Sequence, residues 1–247
     1  HSSLETTRFI RNMSSAHPVV SREEWLVERK KVLEEEKALA RANAALAAKR
    51  QALPWVKVDD YVFSGPDGPI KLSDLFSNGP NLVVYHLMFQ EEWPSGCHRC
   101  SFFLDGFNGN LAHILPRTNF VAIAKASSPK LQEFKATKGW AFPLLSSAEN
   151  SFNRDFGVEF TKEERDAKAP GYNYGRTWEY SEQAPGYSVF RKGEDGSLFH
   201  TYSCFSAGLA ALQSTFNVLD TIPDGRDESG PGRSHMWWVK HKEEYTQ

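Results

Sequence analysis

The sequence predicts an α/β/α sandwich with a long N-terminal helix and a C-terminal extension, and three observations carry that prediction. Two apolar, β-branched runs, Asn81 to Phe89 and Phe120 to Ala124, lie a helix-length apart, as expected of neighbouring parallel strands covered on both faces. A pair of cysteines in the run Cys97-His98-Arg99-Cys100 follows the first of them, where strand gives way to helix. Near the C-terminus, Gly193-Glu194-Asp195-Gly196 separates two further strand-like runs and reads as a hairpin turn.

The elements follow in order. Ser21 and Glu24 stand in capping-box spacing, and Trp25, Val32, Leu39, Leu46 and Leu53 recur at heptad steps, which predicts an amphipathic helix to about Arg50. Such a stripe packs on the same domain or on a second copy of the chain, so a homodimer is an expectation. From Pro54 the pattern changes to short extended runs. Tyr61-Val62-Phe63 and Ile70-Lys71-Leu72 flank a Gly/Pro-rich turn, and Ser73 to Phe76 reads as a helical turn. Ser101 to Leu115 reads as a helix weakened by Gly106 and Gly109. Pro129 opens a helix from Ser128 to Lys138, Phe142 to Leu145 supplies the next strand, and Glu149 to Phe156 a short helix. The stretch from Thr161 to Gln183 is too aromatic for a disordered linker and reads as an ordered insertion. The hairpin Tyr187–Arg191 and Ser197–Tyr202 follows, then a helix from Ala207 to Leu219, and a polar tail whose Met236-Trp237-Trp238-Val239 packs back on the body. Strand–helix–strand units finishing in a hairpin and helix are the order of a thioredoxin-like, peroxiredoxin-like domain. The expected division is residues 1–53 as extension and helix, 54–222 as the domain and 223–247 as the tail.

Composition narrows the function. The 247 residues are 40% hydrophobic and 24% charged, with a formal net charge of −2 and no basic face for nucleic acid. No apolar stretch is long enough to cross a bilayer and the N-terminus is polar, so the expectation is a cytoplasmic protein with no membrane partner. Three cysteines are too few for a disulfide framework, and two of them at CxxC spacing point to redox or metal chemistry. Cys204 stands alone and reads as structural.

A cysteine in the first turn of a helix faces unpaired N–H groups and the positive end of the helix dipole, which favour thiolate over thiol. Cys97 is therefore the expected nucleophile and Cys100 the resolving thiol, with His98 and Arg99 adding positive charge. Pro185, just before the strand at Tyr187, stands where thioredoxin-like domains place a cis-proline beside the dithiol. The alternative chemistry is a copper- or zinc-thiolate centre, in which His86 or His200 joins Cys97 and Cys100; each histidine reads equally as a hydrogen-bonded core residue. The dithiol reading requires no cofactor. Tyr85, Trp93, Tyr172, Tyr174 and Trp178 could line an aromatic substrate pocket.

Several segments together resemble one known family. They are Leu53-Pro54-Trp55-Val56, Gly65-Pro66-Asp67-Gly68, Leu72 to Phe76, Val84-Tyr85-His86, Gly96-Cys97 to Cys100-Ser101-Phe102, Asp155 to Val158, Tyr172-Asn173-Tyr174 and His200 to Ser203. This set is similar to the DUF899 family of thioredoxin-like proteins, over most of the chain from Ser21 to Tyr245. The resemblance implies a thioredoxin fold and a dithiol–disulfide oxidoreductase role, in a family whose substrates are largely undefined; the dithiol itself leads to the expectation of a small-molecule or thiol/disulfide substrate and a cellular thiol as reductant. The chain departs from ordinary thioredoxins in the longer approach Gln90 to Gly96, which argues against large protein partners. It also lacks the Thr-x-x-Cys approach of peroxiredoxins, which makes a peroxidase the less favoured variant. A redox-inert binding module on the same scaffold is the remaining reading.

Overall fold

The computed structural model describes residues 17–245, and the chain divides into two compact units, residues 1–52 and 53–247. In the first, helix α1 spans Arg22–Gln51. Its capping box forms as the sequence predicts: Glu24 donates its N–H to Ser21 Oγ and returns its carboxylate to the Ser21 N–H. Trp25, Val32, Leu39 and Leu46 are exposed. The helix ends at Gln51, so Leu53 does not extend the stripe. Pairs such as Lys31–Glu28 and Lys37–Glu34 add the few tenths of a kcal/mol expected of exposed i,i+3 neighbours.

The second unit is built on an eight-stranded sheet. Its strands are β1 (Val56–Lys57), β2 (Val62–Gly65), β3 (Gly68–Lys71), β4 (Asn81–His86), β5 (Asn119–Ala124), β6 (Leu144–Ser146), β9 (Gly186–Lys192) and β10 (Leu198–Phe205), while β7 (Pro170–Tyr172) and β8 (Arg176–Thr177) pair separately. The order across the sheet is β1-β10-β9-β4-β5-β6-β2-β3. The β4, β5 and β6 strands run parallel, and β9 lies antiparallel on the other side of β4. Helices α2 (His98–Gly109), α3 (Leu111–Ile114), α4 (Ser128–Lys138), α5 (Phe152–Asp155), α6 (Lys162–Asp166) and α7 (Ser214–Leu219) complete the unit. Parallel strands joined by helices and closed by an antiparallel hairpin are the thioredoxin-like topology.

Strand alternation divides the core in two. Val83, Tyr85, Phe120, Ala122 and Ala124 face a layer built from Phe103 and Leu104 of α2 and Leu131 and Phe134 of α4. Leu82, Val84, Val121 and Ile123 face Phe63, Leu72, Phe152 and Phe190. Both faces are covered, which is why β4 and β5 read as continuous apolar runs.

Two elements differ from the sequence reading. The segment Ser101 to Leu115 is not one helix: α2 begins earlier, at His98, and the chain re-forms as α3 after Asn110, whose side chain turns back on the Gly106 carbonyl. The helix expected over Ala207–Leu219 is a 3-10 segment, Ser206–Leu212, followed by α7. Gln213 interrupts it, donating to the Phe102 carbonyl and accepting from the Thr215 N–H. The tail closes on the first core layer, with Met236 and Val239 buried and Trp238 edge-on to Phe102. No helix among the described residues is long and apolar enough to cross a membrane.

Candidate functional site: a dithiol at the floor of an aromatic cavity

The approach to the dithiol is anchored at both ends. The Phe89 carbonyl accepts from the Lys125 and Ala126 N–H groups, and Lys130 donates to the carbonyls of Glu91 and Trp93 at 2.5 and 2.6 Å. The Glu91 carboxylate accepts from the Ser127 N–H at the start of α4 at 2.8 Å. Gly96 packs flat on Phe134, and a Cβ there would lie 2.7 Å from the ring, so the close approach of loop to helix requires glycine. The Cys97 N–H then donates to the Met88 carbonyl at 3.0 Å and holds Cys97 at the N-cap of α2.

The two thiols are free and unlike. Cys97 is half-buried, whereas Cys100 is 1% exposed among Tyr85, Phe103 and Leu104. Cys97 is lowered to about 7, first by a hydrogen bond from the Cys100 thiol, then by the backbone N–H groups of Cys100 and Arg99 and by the Arg99 charge, against the opposing effect of burial. Burial pushes Cys100 well above the ordinary thiol range, and its bond to Cys97 adds to that. The Tyr85 hydroxyl, fully buried beside Cys100, has no nitrogen or oxygen partner. In a reduced sample the thiolate absorbance in the far ultraviolet should titrate with a midpoint near 7, and Cys100→Ala should move that midpoint upward. An unchanged midpoint in the variant would refute the Cys100 hydrogen bond as the leading cause.

Cys97 and Cys100 line a cavity of about 630 Å³ together with Tyr85, Met88, Phe103, Tyr172, Trp178 and Tyr180. Pro185, Leu209, His235 and Met236 contribute to its lining as well. Two of these aromatics have their polar atoms engaged by backbone groups. Tyr172 donates to the Pro185 carbonyl at 2.7 Å and accepts from the Ser206 N–H, and the Trp178 indole N–H donates to the carbonyls of Ser181 and Gln183.

Of the residues singled out in the sequence, Cys97, Cys100, Arg99, Tyr85, Tyr172, Trp178 and Pro185 meet at this cavity. The others need correction. The peptide before Pro185 is trans, as are all described peptide bonds. His98 sits edge-on to His241, and burial, then the Arg99 charge, lowers its pKa, which works against its expected contribution of positive charge beside Cys97; the charge that lowers Cys97 is that of Arg99. Trp93 packs against the core without lining the cavity, and Tyr174 is an exposed side chain that donates to the Ser203 carbonyl.

His86 and His200 do not join the thiols. Alternation on β4 turns His86 to the opposite face from Tyr85, where it stacks on Phe152 and Phe156. Its Nε2 meets Ser188 Oγ at 2.8 Å, Ser188 meets Ser203 at 2.8 Å, and Ser203 meets His200 Nε2 at 2.7 Å, a buried polar chain linking the two rings. The ligand set of Cys97 and Cys100 with His86 or His200 is therefore not assembled, and among the described residues no three His, Cys, Asp or Glu side chains are grouped to hold an ion. Sequence reading missed Phe103 and Met236. Phe103 could have been found, since it lies three residues after Cys100 on the same helix face; nothing local marks Met236.

A dithiol at the start of the helix that follows a central parallel strand, in a sheet closed by an antiparallel hairpin, makes this a thioredoxin-like protein. The chain belongs to the DUF899 family, described as a bacterial protein of unknown function, whose model matches residues 14–245. No curated protein matches it. Among solved structures it is similar to the peroxidoxin BcpB of Mycobacterium tuberculosis, at 18% identity over 68% of this chain and 97% of that one, with a TM-score of 0.46. It is also similar to a mutant of peroxiredoxin Q from Xanthomonas campestris, at 18% identity over 65% of this chain and 90% of that one, with a TM-score of 0.43.

Proposed function

We propose that the protein is a thiol oxidoreductase that alternates between a Cys97/Cys100 dithiol and the corresponding disulfide while acting on a small molecule. The observation that carries this reading is the asymmetry of the pair. A cavity-facing thiol is acidified to about 7 by a buried partner that remains protonated. The Cys97 thiolate attacks one sulfur of a substrate disulfide, forming a Cys97–substrate mixed disulfide and releasing the other half as a thiolate. Cys100 then loses its proton and attacks the Cys97 sulfur, which closes the intramolecular disulfide and expels the second half. The buried Tyr85 hydroxyl beside Cys100 supports that second step by donating to the developing thiolate. Two equivalents of a cellular thiol return the protein to the dithiol and leave as their own disulfide. This chemistry needs no resident metal.

Counting thiols tests the reading. The sequence contains three cysteines, so the reduced protein should lose two thiols on reaction with one equivalent of a small disulfide, and peptide mapping should find Cys204 retained. Loss of no thiol would overturn the proposal. So would stoichiometric copper or zinc in freshly purified protein that disappears in Cys97→Ser.

A further inference from the structure

We infer that the substrate of this dithiol is an aromatic molecule carrying a single anionic group, held by Arg99 at one end and by the rings of Trp178 and Tyr180 at the other. The inference rests on the reading of Cys97 as nucleophile and deepens it. A cavity of about 630 Å³ is the size of a site for a small organic molecule and far exceeds the needs of a peroxide alone. No Asp or Glu lines it, and its one permanent charge is Arg99. Arg99 is exposed and forms no ion pair with a carboxylate among the described residues. The other ionisable lining group of basic character, His235, is already engaged by Glu228 at 2.7 Å. An unpaired guanidinium offers a planar fork that matches a carboxylate or sulfonate, and one such fork selects one anion.

The aromatic part of the lining is suited to a ring. Tyr172 and Trp178 have centroids 4.8 Å apart, and Trp178 and Tyr180 5.0 Å apart. The polar atoms of Tyr172 and Trp178 are bound to backbone groups, so neither offers a free donor; Tyr172 is 2% exposed and backs the half-buried Trp178, which with Tyr180 supplies the accessible ring surface. Tyr180 is 84% exposed at the end of this series, a large aromatic surface with little intramolecular cover. Cys97 lines the same cavity as Arg99, Trp178 and Tyr180, so a substrate held by these residues shares that space with the attacking sulfur.

The test uses the full chain and four small disulfides: 5,5′-dithiobis(2-nitrobenzoate), aromatic with one carboxylate per half; 2,2′-dithiodipyridine, aromatic and neutral; 3,3′-dithiodipropionate, aliphatic and anionic; and cystamine, aliphatic and cationic. Each rate of first attack is divided by that of free mercaptoethanol per thiolate, which removes intrinsic reactivity. The aromatic anion should lead the normalised series by about ten-fold, and Arg99→Gln should reduce the ratio of its rate to that of the neutral aromatic by a similar factor. Because both rates come from one variant at one pH, the effect of Arg99 on Cys97 ionisation cancels. Equal normalised rates, or a ratio that Arg99→Gln leaves unchanged, would overturn the inference. Binding of naphthalene-1-sulfonate to Cys97→Ser, followed by tryptophan fluorescence, separates the two levels of argument. Saturable binding that Arg99→Gln weakens, with no disulfide reacting in the wild type, would remove the redox reading and keep the pocket. Indiscriminate disulfide reaction with no such binding would do the reverse.

Discussion

Cys97→Ser should remain folded and lose its reaction with small disulfides by about three orders of magnitude or more, because the attacking sulfur itself is gone. Cys97 is half-buried, and exchanging sulfur for oxygen there leaves the backbone bond to Met88 and the first turn of α2 untouched. Cys100→Ala should behave differently. Its Cys97 still attacks, with a smaller thiolate fraction at neutral pH, but the reaction stops at the mixed disulfide, which intact-mass spectrometry reads as one substrate half added per chain. Alanine is the better replacement, since a serine at this 1% exposed position would keep a hydroxyl able to hydrogen-bond Cys97 and so to hold its pKa down. A Cys100→Ala protein that turns over like the wild type, or a Cys97→Ser protein that forms the adduct, would reverse the assignment of the two thiols.

The second large effect lies on the opposite face of the sheet. Burial lowers His86 to about 3, with the nearby His200 adding to it, so the ring is neutral in the folded protein. In the unfolded chain it takes up a proton near its ordinary value of 6.5. Below that pH the unfolded state binds the extra proton, so stability is complete above about 6.5 and declines as the pH falls towards about 3. The slope approaches about 1.4 kcal/mol per pH unit for one such group. His200 is lowered in the same direction by its own partial burial. Urea unfolding at a series of pH values from about 6.5 down to about 5 reads the slope before the carboxylates dominate, and His86→Gln should flatten it. An equal slope in the variant would show that some other group takes up the proton.

The sequence carried much of the fold, because hydrophobic period and turn residues are local signals. The runs Asn81 to Phe89 and Phe120 to Ala124, the capping box at Ser21 and the Gly193 to Gly196 turn each specify an element within a few residues. The element breaks at Asn110 and Gln213 were less legible. Gln213 ends its segment by donating to Phe102, 111 positions earlier, a contact that no window of sequence contains. At the site, CxxC spacing marked the two thiols and their helix, while the faces of β4 decided the rest. Tyr85 and His86 are neighbours in sequence with equally apolar surroundings, and alternation alone sends one to the dithiol and the other away from it. Trp93 and Tyr174 show the complementary difficulty, since an aromatic near a site in sequence packs wherever the loop takes it.

The cavity has one consequence for the way the molecule is put together. Its thiols and Tyr85 lie at positions 85 to 100, whereas Met236, buried in the same core layer with a backbone φ of 58°, comes more than a hundred residues later. Glu228 fixes this late segment, accepting from the Met236 N–H at 2.8 Å and from the Trp238 indole at 3.0 Å. A chain lacking the residues after Arg233 keeps every strand and the complete dithiol but has no Ser234, His235 or Met236 to bound the space above it. During synthesis Cys97 therefore emerges well before the residues that bound the space above it, and the cavity takes its final shape only after the sheet beneath it is complete.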